Sequence, residues 1–438
     1  MTQIKEKIGS LRWWVVGLIA LAAVINYIDR QALGVLWPEM GSEVFPDKSP
    51  DERKAIYGLI SSVFILSYAF GQAIFGKIFD WIGTRIGFVL SISVWSIATA
   101  LHAFAGGVVS FSIFRSILGV AEAGNWPGAA KGNAEWFPTK ERAFAQGIFN
   151  SGAAIGGIIS IPLIAFLTVF LGWKMIFVLV GLVGLLWLIP WLIVVKAPPE
   201  SHPWLSDSER NYIISGQKNE DTSGDGEIDN EYVPNTGQLL GHKESWGAII
   251  ASAAIDPIWW LFVVWIPYYL FDVYAMDVKQ IGIYGWVPYV GAMIGALFGG
   301  RLAQTFLTNG RSVNWTRKVV ITLGCLIMLP ALLAMSNPGG PTTAVLIMAV
   351  ILFGFQIAIG NVQTLPSDFF SGKTVGTLAG FAGMAAKLGA FGLTMLVPKL
   401  TAGGNYTPAF ILGAVLAITA LAAVWVLCPN IKTLRARK

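Results

Sequence analysis

The feature that most constrains this chain is a series of apolar segments, each about as long as a helix that crosses a lipid bilayer. A bilayer core of about 30 Å is crossed by about 20 helical residues. Six such segments precede a polar stretch at 197-245 and six follow it, near 13-36, 57-79, 84-105, 108-130, 143-170, 174-195, 247-275, 280-303, 318-335, 342-365, 374-398 and 407-428. Strands of a closed barrel show shorter, alternating segments. The sequence therefore predicts an all-α membrane protein with twelve transmembrane helices.

The composition agrees with this interpretation. Of the 438 residues, 55% are hydrophobic and 13% are charged, whereas charged residues make up about a quarter of a soluble chain. Too few charges are present to cover a water-facing surface, so the partner of this surface is the lipid bilayer. The net charge of +5 comes from scattered clusters, which indicates membrane topology and excludes nucleic acid as a partner. The two cysteines lie in apolar segments, and neither a metal site nor a cofactor is expected.

The distribution of lysine and arginine predicts the orientation of the segments. Short loops with many basic residues face the cytoplasm. The N-terminus, the C-terminal tail and the loops on the same side are basic, for example at Lys77 and Arg85, while the opposite side has few basic residues. Both termini are therefore expected in the cytoplasm. The basic start of the first segment resembles that of a signal peptide, but no small-residue cleavage site follows it. The segment continues to Asp29 and Arg30, so it is expected to be retained.

A weak internal repeat predicts two bundles of six helices. Trp136-Phe137-Pro138 is echoed 232 positions later by Asp368-Phe369-Phe370. The expected units are residues 1-196, a cytoplasmic linker at 197-245, and residues 246-438. Parallel repeats of this kind place a transport site between the two bundles. A chance match in glycine-rich apolar sequence is the alternative.

The linker contains a stretch that imitates a calcium-binding loop. Residues 221-229 alternate acidic and small residues as such a loop does, but position twelve, which should be a bidentate glutamate, is Tyr232. A flexible acidic linker is therefore expected instead of a calcium site.

Four ionisable residues inside the apolar segments are the main candidates for function. Asp29 and Arg30 lie in the first segment, and Arg115 and Glu122 lie seven residues apart, on one helical face, in the fourth. Such residues are costly in a membrane and usually face a cavity or a partner. In one interpretation a guanidinium binds an anionic substrate while a carboxylate takes up a proton. In the other, the residues form internal salt bridges that only hold the bundle together.

Other polar residues could line the same cavity, because hydroxyl-rich solutes need amide, phenol and indole groups. Interhelical hydrogen bonding is the alternative for each of them. Lys387 has no acidic neighbour in sequence and must either pair across the cavity or contact an anion. One or two aromatic residues near Trp260 could stack on a sugar. The full set of candidates for substrate binding is Arg30, Tyr27, Asn26, Tyr68, Gln72, Asn125, Trp126, Asn150, Asn361 and Lys387.

No catalytic motif is present. The sequence has no phosphate-binding glycine loop, nucleophile elbow or zinc-protease motif. An enzyme and an ATP-driven pump are therefore excluded as interpretations, and transport is expected to draw on an ion gradient. A transporter-like sensor or scaffold is the remaining class, and it would need a soluble output domain for which residues 197-245 are too short and too polar.

Two motifs resemble those of a known family, the major facilitator superfamily. Residues 76-85, Gly-Lys-Ile-Phe-Asp-Trp-Ile-Gly-Thr-Arg, look like its cytoplasmic signature, with Trp81 in place of a basic residue. Residues 121-127, Ala-Glu-Ala-Gly-Asn-Trp-Pro, are similar to those of its anion:cation symporters, most closely the hexuronate transporters. The resemblance implies gating roles for Gly76, Asp80, Gly83 and Arg85.

The resemblance also implies a function: proton-coupled uptake of a monoanionic sugar acid, glucuronate or galacturonate, across a bacterial inner membrane by a monomer. Asp29 and Glu122 correspond to protonation sites, Arg30 to the carboxylate ligand, and Arg115 to a residue that pairs with the acids. Two positions depart from the pattern: Ser252 stands where many hexuronate carriers have a basic residue, and Lys387 replaces a neutral one. Another organic anion (aldonate, aldarate or aromatic carboxylate) or sodium coupling is the alternative.

Overall fold

The computed structural model describes residues 10–222, 234–370 and 372–434, and within them every regular element is helical. The helices are α1 (Leu11–Val44), α2 (Pro50–Leu101), α3 (Val108–Glu122), α4 (Asn125–Trp136), α5 (Thr139–Leu167), α6 (Trp173–Val194), α7 (Asp207–Thr222), α8 (Thr236–Gly241), α9 (Lys243–Tyr274), α10 (Val278–Tyr284), α11 (Val287–Thr308), α12 (Val313–Ala334), α13 (Pro341–Val362), α14 (Leu365–Phe369), α15 (Gly372–Leu400) and α16 (Thr407–Leu427). Across these described ranges, ten helical stretches are long and apolar enough to cross a membrane, against the twelve predicted.

One reason for the difference is α2, which contains the second and third predicted segments. Gly83 interrupts it with φ 78° and ψ 167°, a backbone conformation that essentially only glycine adopts. The rings of Phe79 and Phe88 lie 5.2 Å apart, although nine residues of straight helix span about 13 Å. The chain therefore reverses direction at Gly83, and α2 consists of two antiparallel limbs.

The other reason is the fourth predicted segment, 108-130, which is split into α3 and α4. Neither piece has the length of a spanning helix, and the break at residues 123–124 comes directly after Glu122. A similar break separates α13 from α14 in the second half of the chain. Each break is followed by a proline in the first turn of the next helix, Pro127 and Pro366, a position that proline favours.

The helices pack as two groups along the chain. In the first, α1 packs on α5, and α2 packs on α3 and α6; in the second, α9 packs on α15 and α16, and α13 packs on α11 and α12. The groups meet where α2 contacts α15 and α1 contacts α9. Glycines allow the closest approaches: a Cβ at Gly156 would lie 2.7 Å from the Cβ of Tyr27, and one at Gly152 would overlap the Ala20 carbonyl oxygen.

The predicted linker is more structured than its polar sequence suggests, because α7 and α8 lie within it. Glu209 of α7 forms an ion pair with Arg12 at 2.6 Å and accepts a hydrogen bond from the Leu11 backbone at 3.1 Å. This carboxylate thereby satisfies a free N–H of the first turn of α1. The residues compared with a calcium loop fall largely on 223–233, outside the described residues.

Candidate functional site

An ion pair inside the first group of helices forms the centre of the candidate site. The Nε atom of Arg30 lies 2.8 Å from Oε2 of Glu122, and the two side chains are 5% and 0% exposed. Arg30 comes from α1 and Glu122 is the last residue of α3, at the helix break. Two of the four ionisable residues predicted from the sequence thus contact each other directly.

Aromatic rings surround the Arg30 guanidinium. Its Cζ lies 4.8 Å from the ring centre of Tyr68, 5.1 Å from Tyr27 and 5.5 Å from Trp260. Cations in such positions are attracted by the negative face of the ring. Because Trp260 belongs to α9, both groups of helices contribute to the walls of the site. Tyr27 and Tyr68, two of the candidates named from the sequence, lie beside Arg30.

Several polar atoms at this site are buried without a partner. Within the part of the chain that the structure describes, the atoms that form no hydrogen bond of good geometry are both carboxylate oxygens of Asp29, Nε and Nη2 of Arg115, Nη2 of Arg30, Oε1 of Glu122 and Nδ2 of Asn26. Looser contacts link Asp29 to Thr99 and Glu122 to Asn26. Leaving a buried polar group unpaired costs about 1–3 kcal/mol, and more for a charged group. The cluster is therefore suited to take up something else: a proton, water or a polar ligand.

In this conformation Arg115 forms no hydrogen bond or ion pair with either acid among the described residues. Glu122 gives its bonded oxygen to Arg30, and the Arg115 guanidinium lies over the Phe64 ring at 5.6 Å. Arg115 still acts on both Asp29 and Glu122 through its charge. The seven-residue spacing correctly put Arg115 and Glu122 on the same buried face, but spacing alone could not decide which of two arginines would contact the acid.

A small cavity lies against this cluster. The space for the centre of a water molecule is about 20 Å³, enough for one or two waters and far below the volume of a pocket that holds a small organic ligand, about 300 Å³ or more. The space beside Arg30 is therefore too small for a sugar acid in this conformation. Its lining is Arg30, Leu33, Tyr57, Ser61, Phe64, Arg115, Trp260, Val263 and Val264.

Lys387 pairs with an acid of the neighbouring helix, the first of the two alternatives drawn from the sequence. Its Nζ lies 2.6 Å from Oδ2 of Asp256, and Nε1 of Trp260 donates to the same oxygen at 3.1 Å. The Lys387 ammonium also lies 5.4 Å from the Trp260 ring centre. Asp256 was not among the predicted site residues, although its position in an apolar segment was a signal of the same kind as that of Asp29.

The remaining candidates for substrate binding are distributed less closely. Gln72 is half-buried one turn after Tyr68, and Asn125 is buried with its Oδ1 unpaired among the described residues. The Trp126 ring packs edge-on against Phe149 at 4.9 Å. None of these three residues lines the cavity beside Arg30.

Two predicted ligands bond to residues of their own helical group. Asn361 accepts a hydrogen bond of 3.1 Å from Arg317, which forms an ion pair of 2.8 Å with Asp368. Asn150 accepts a hydrogen bond of 3.2 Å from Gln146. The structure does not bring either amide to the Arg30 cluster, and for these two residues the alternative of interhelical or local hydrogen bonding fits this conformation better.

The residues of the signature 76-85 surround the reversal of α2. Asp80 lies 3.3 Å from Lys131 of α4, which also donates to the Phe79 carbonyl at 2.7 Å. The Arg85 carbonyl accepts a hydrogen bond of 3.0 Å from Trp191. Gly76 has open space around it. These contacts hold the bend of α2 to α4 and α6, within the first group of helices.

A second charged cluster, absent from the predictions, joins the two groups at the end of the molecule where α1 leads into α2. Lys54 is 2.7 Å from Oδ2 of Asp272 and donates to the Thr401 carbonyl at 2.9 Å. The Tyr406 hydroxyl also donates to Asp272, at 2.9 Å. Nearby, Tyr57 donates to the Val264 carbonyl. We name Lys54, Asp272, Thr401 and Tyr406 the end cluster.

The sequence of this chain matches those of known proteins. The sequence profile of the Major Facilitator Superfamily matches residues 19–394. The chain is 30% identical over 427 residues to a hexuronate transporter of Escherichia coli (strain K12), covering 97% of this chain and 96% of that protein. It is 31% identical over 324 residues to a galacturonate transporter of Dickeya chrysanthemi, covering 74% and 90%.

Among solved structures, a bacterial homologue of the human lysosomal transporter Spinster, in an inward-facing and occupied conformation, superposes with a TM-score of 0.71. The sequence identity is 20%, and the match covers 96% of this chain and 98% of that one. At this identity the likeness concerns the fold.

Proposed function

Because the chain belongs to the major facilitator superfamily, whose matched relatives are transporters and not enzymes, we propose that it carries a sugar acid anion together with protons into a bacterial cell. A hexuronate, galacturonate or glucuronate, is the proposed substrate. The working unit is a monomer in the inner membrane. We count twelve spans by dividing α2 at Gly83 and joining α3 to α4. An even number leaves both termini on one side of the membrane, and the basic loops make the cytoplasm the proposed side.

The observation that carries this proposal is the buried Arg30–Glu122 pair within aromatic walls from both helical groups. A guanidinium binds a carboxylate through two parallel hydrogen bonds, and Arg30 has one nitrogen free of partners among the described residues. Tyr27 and Tyr68 offer hydroxyls and ring faces to a polyhydroxy chain. A sugar acid carboxylate therefore competes with Glu122 for Arg30.

Proton coupling follows from that competition. When the substrate takes Arg30, Glu122 loses its ion-pair partner in a buried site, and an unpaired buried carboxylate is far less costly when it is neutral. Glu122 then takes up a proton as the substrate binds. Asp29, whose oxygens form no hydrogen bond of good geometry within the described ranges, is the second protonation site.

Alternating access is supported by where the two helical groups contact each other. The end cluster and the Tyr57–Val264 hydrogen bond join the groups at the α1–α2 end, which faces the outside if both termini are cytoplasmic. Residues 1-196 and 246-438 then rock about the Arg30 site, with 197-245 as the connection. This conformation is closed to the outside.

The test is uptake of radiolabelled galacturonate into proteoliposomes under an inward proton gradient. Arg30→Ala is expected to lower uptake by about tenfold to a hundredfold, because a charged hydrogen bond contributes about 1.5–3 kcal/mol. Arg301→Ala, which removes an exposed arginine, is the control and should transport as wild type does. Wild-type uptake by Arg30→Ala would contradict the site, and uptake that follows a sodium gradient at constant pH would contradict proton coupling.

A further inference from the structure

A second cation, Lys387, lies beside the Arg30 site. A hexuronate, the substrate of the proposed function, has only one carboxylate and gives Lys387 no role. Lys387 contacts Asp256 at 2.6 Å, and the two side chains are 14% and 11% exposed. A lysine ammonium has three N–H donors. The structure gives Lys387 one hydrogen bond among the described residues, to Asp256, which leaves donors for a further acceptor.

The distance between this cation and Arg30 is limited by the indole of Trp260, which both cations approach. Arg30 and Lys387 lie 5.5 Å and 5.4 Å from the ring centre of Trp260, so the two charges are at most about 11 Å apart. The terminal carboxyl carbons of an extended six-carbon chain are about 6 Å apart, given a C–C bond of about 1.5 Å. Charged hydrogen bonds add about 3 Å at each end. A six-carbon dicarboxylate can therefore reach both cations.

The charges of the site favour such a ligand. Arg30, Arg115 and Lys387 are positive, and Asp256 is negative. When Asp29 and Glu122 both carry protons, as the proposed function requires during transport, two positive charges remain. A dicarboxylate neutralises both, whereas a monocarboxylate leaves one uncompensated charge inside the membrane, where charges are costly.

We propose that Lys387, positioned by Asp256, binds the second carboxylate of a dicarboxylic sugar acid whose first carboxylate binds Arg30. The indole face of Trp260 lies under the chain that connects the two groups. This inference rests on the proposed function, proton-coupled transport of a sugar acid, but it changes the preferred substrate from a hexuronate, which has one carboxylate, to a sugar acid with two. It makes Lys387 a specificity-determining residue and Asp256 a positioning residue.

The experiment compares three acids of equal carbon number: galactarate, with two carboxylates, and galacturonate and galactonate, with one each. Their affinities for the purified full-length protein are measured by titration calorimetry at constant pH and salt. Wild type is expected to bind galactarate at least about tenfold more tightly than either monocarboxylate, as one additional charged hydrogen bond implies. In Lys387→Met this preference disappears, because the second carboxylate has lost its cation.

Two further variants keep the result interpretable. Lys387→Arg retains the charge and is expected to retain a preference for galactarate. The double variant Asp256→Asn with Lys387→Met leaves no buried charge unpaired and has the same net charge as wild type, so it should fold, bind the monocarboxylates and show no preference. A preference that persists in the double variant would mean that net charge, and not contact with Lys387, selects the ligand, which overturns the inference.

Three other outcomes of this binding experiment also test the inference. Equal losses for all three acids in Lys387→Met would make Lys387 a structural residue. Binding of the monocarboxylates to wild type without a preference for galactarate would overturn this inference and leave the proposed function in place. If none of the three acids binds to wild type, the proposed function and this inference both fail.

Discussion

At the scale of single residues, the proposed coupling depends on Glu122, because its carboxylate forms the ion pair with Arg30 that the proposed substrate has to displace. Glu122→Gln keeps the size of the side chain but cannot exchange a proton. We expect accumulation driven by a proton gradient to fall by about tenfold or more, in the range of a lost coupling between two sites. Exchange of internal for external substrate, which needs no net proton movement, should stay within a few-fold of wild type. Counterflow and pH-jump uptake in the same proteoliposomes measure the two activities.

Glu39→Gln is the matched control, because Glu39 is exposed near the end of α1 and should leave both activities unchanged. If Glu122→Gln accumulates substrate in response to a pH jump as wild type does, Glu122 is only an ion-pair partner of Arg30.

The sequence was most informative about residues that are rare in their surroundings. Arg30, Glu122 and Tyr68 could be selected because charged and phenolic groups in apolar segments need a reason to be there, and the structure brings these three together. The partner of Lys387 could not be predicted, because Asp256 lies 131 residues away in the chain. Only the packing of α9 on α15 makes them neighbours.

At the scale of helices, Gly83 is the residue on which the two limbs of α2 depend. Its φ of 78° and ψ of 167° cost a residue with a Cβ about 1–3 kcal/mol. Gly83→Ala is therefore expected to lower the melting temperature of the purified protein. Gly76→Ala, in a regular part of the same helix with open space around it, should leave the melting temperature unchanged or raise it, since alanine is the better helix former by about 1 kcal/mol. Thermal unfolding of the two variants tests whether the melting temperature falls in Gly83→Ala but not in Gly76→Ala. Equal melting temperatures would contradict this expectation.

Helix boundaries were less predictable than helix positions. Apolar composition indicates where a chain can lie in lipid, but it does not predict a change of backbone direction inside an apolar segment. For this reason the segment 108-130 concealed the break between α3 and α4. The opposite error affected α7, whose polar sequence predicted a flexible linker. Glu209 holds α7 in place by bonding to Arg12 and to the start of α1. No local sequence pattern predicts this tertiary contact.

At the scale of the whole molecule, the end cluster holds the two helical groups together at one end. Lys54→Met removes its only ammonium, so the groups should separate more often at that end. We expect a cysteine introduced at the buried, cavity-lining Ser61 to react several-fold faster with a membrane-impermeant thiol reagent applied from outside when Lys54→Met is also present. The native Cys325 and Cys428 are buried and give a low background.

Lys48→Met is the comparison, because Lys48 forms an exposed pair with Glu52 on the same side of the molecule and contacts no residue of the second group in the described ranges. Unchanged labelling at residue 61 in Lys54→Met would contradict a closing role for the end cluster.

The family resemblance drawn from the motifs at 76-85 and 121-127 is confirmed by the profile match and the hexuronate-transporter relatives. The closure at one end was beyond sequence analysis. Lys54 and Asp272 lie 218 residues apart in the chain, so no local pattern predicts their contact. The small volume beside Arg30 and the contacts of Lys54 identify the closed end only once the helices are in place.

The two partners of Lys54 differ in kind, and this has a genetic consequence. One is the carboxylate of Asp272, which a single codon change can remove; the other is the main-chain oxygen of Thr401, which no side-chain substitution deletes. A selection for leaky or constitutively open alleles should therefore recover changes at Lys54 more often, and with stronger phenotypes, than changes at Asp272.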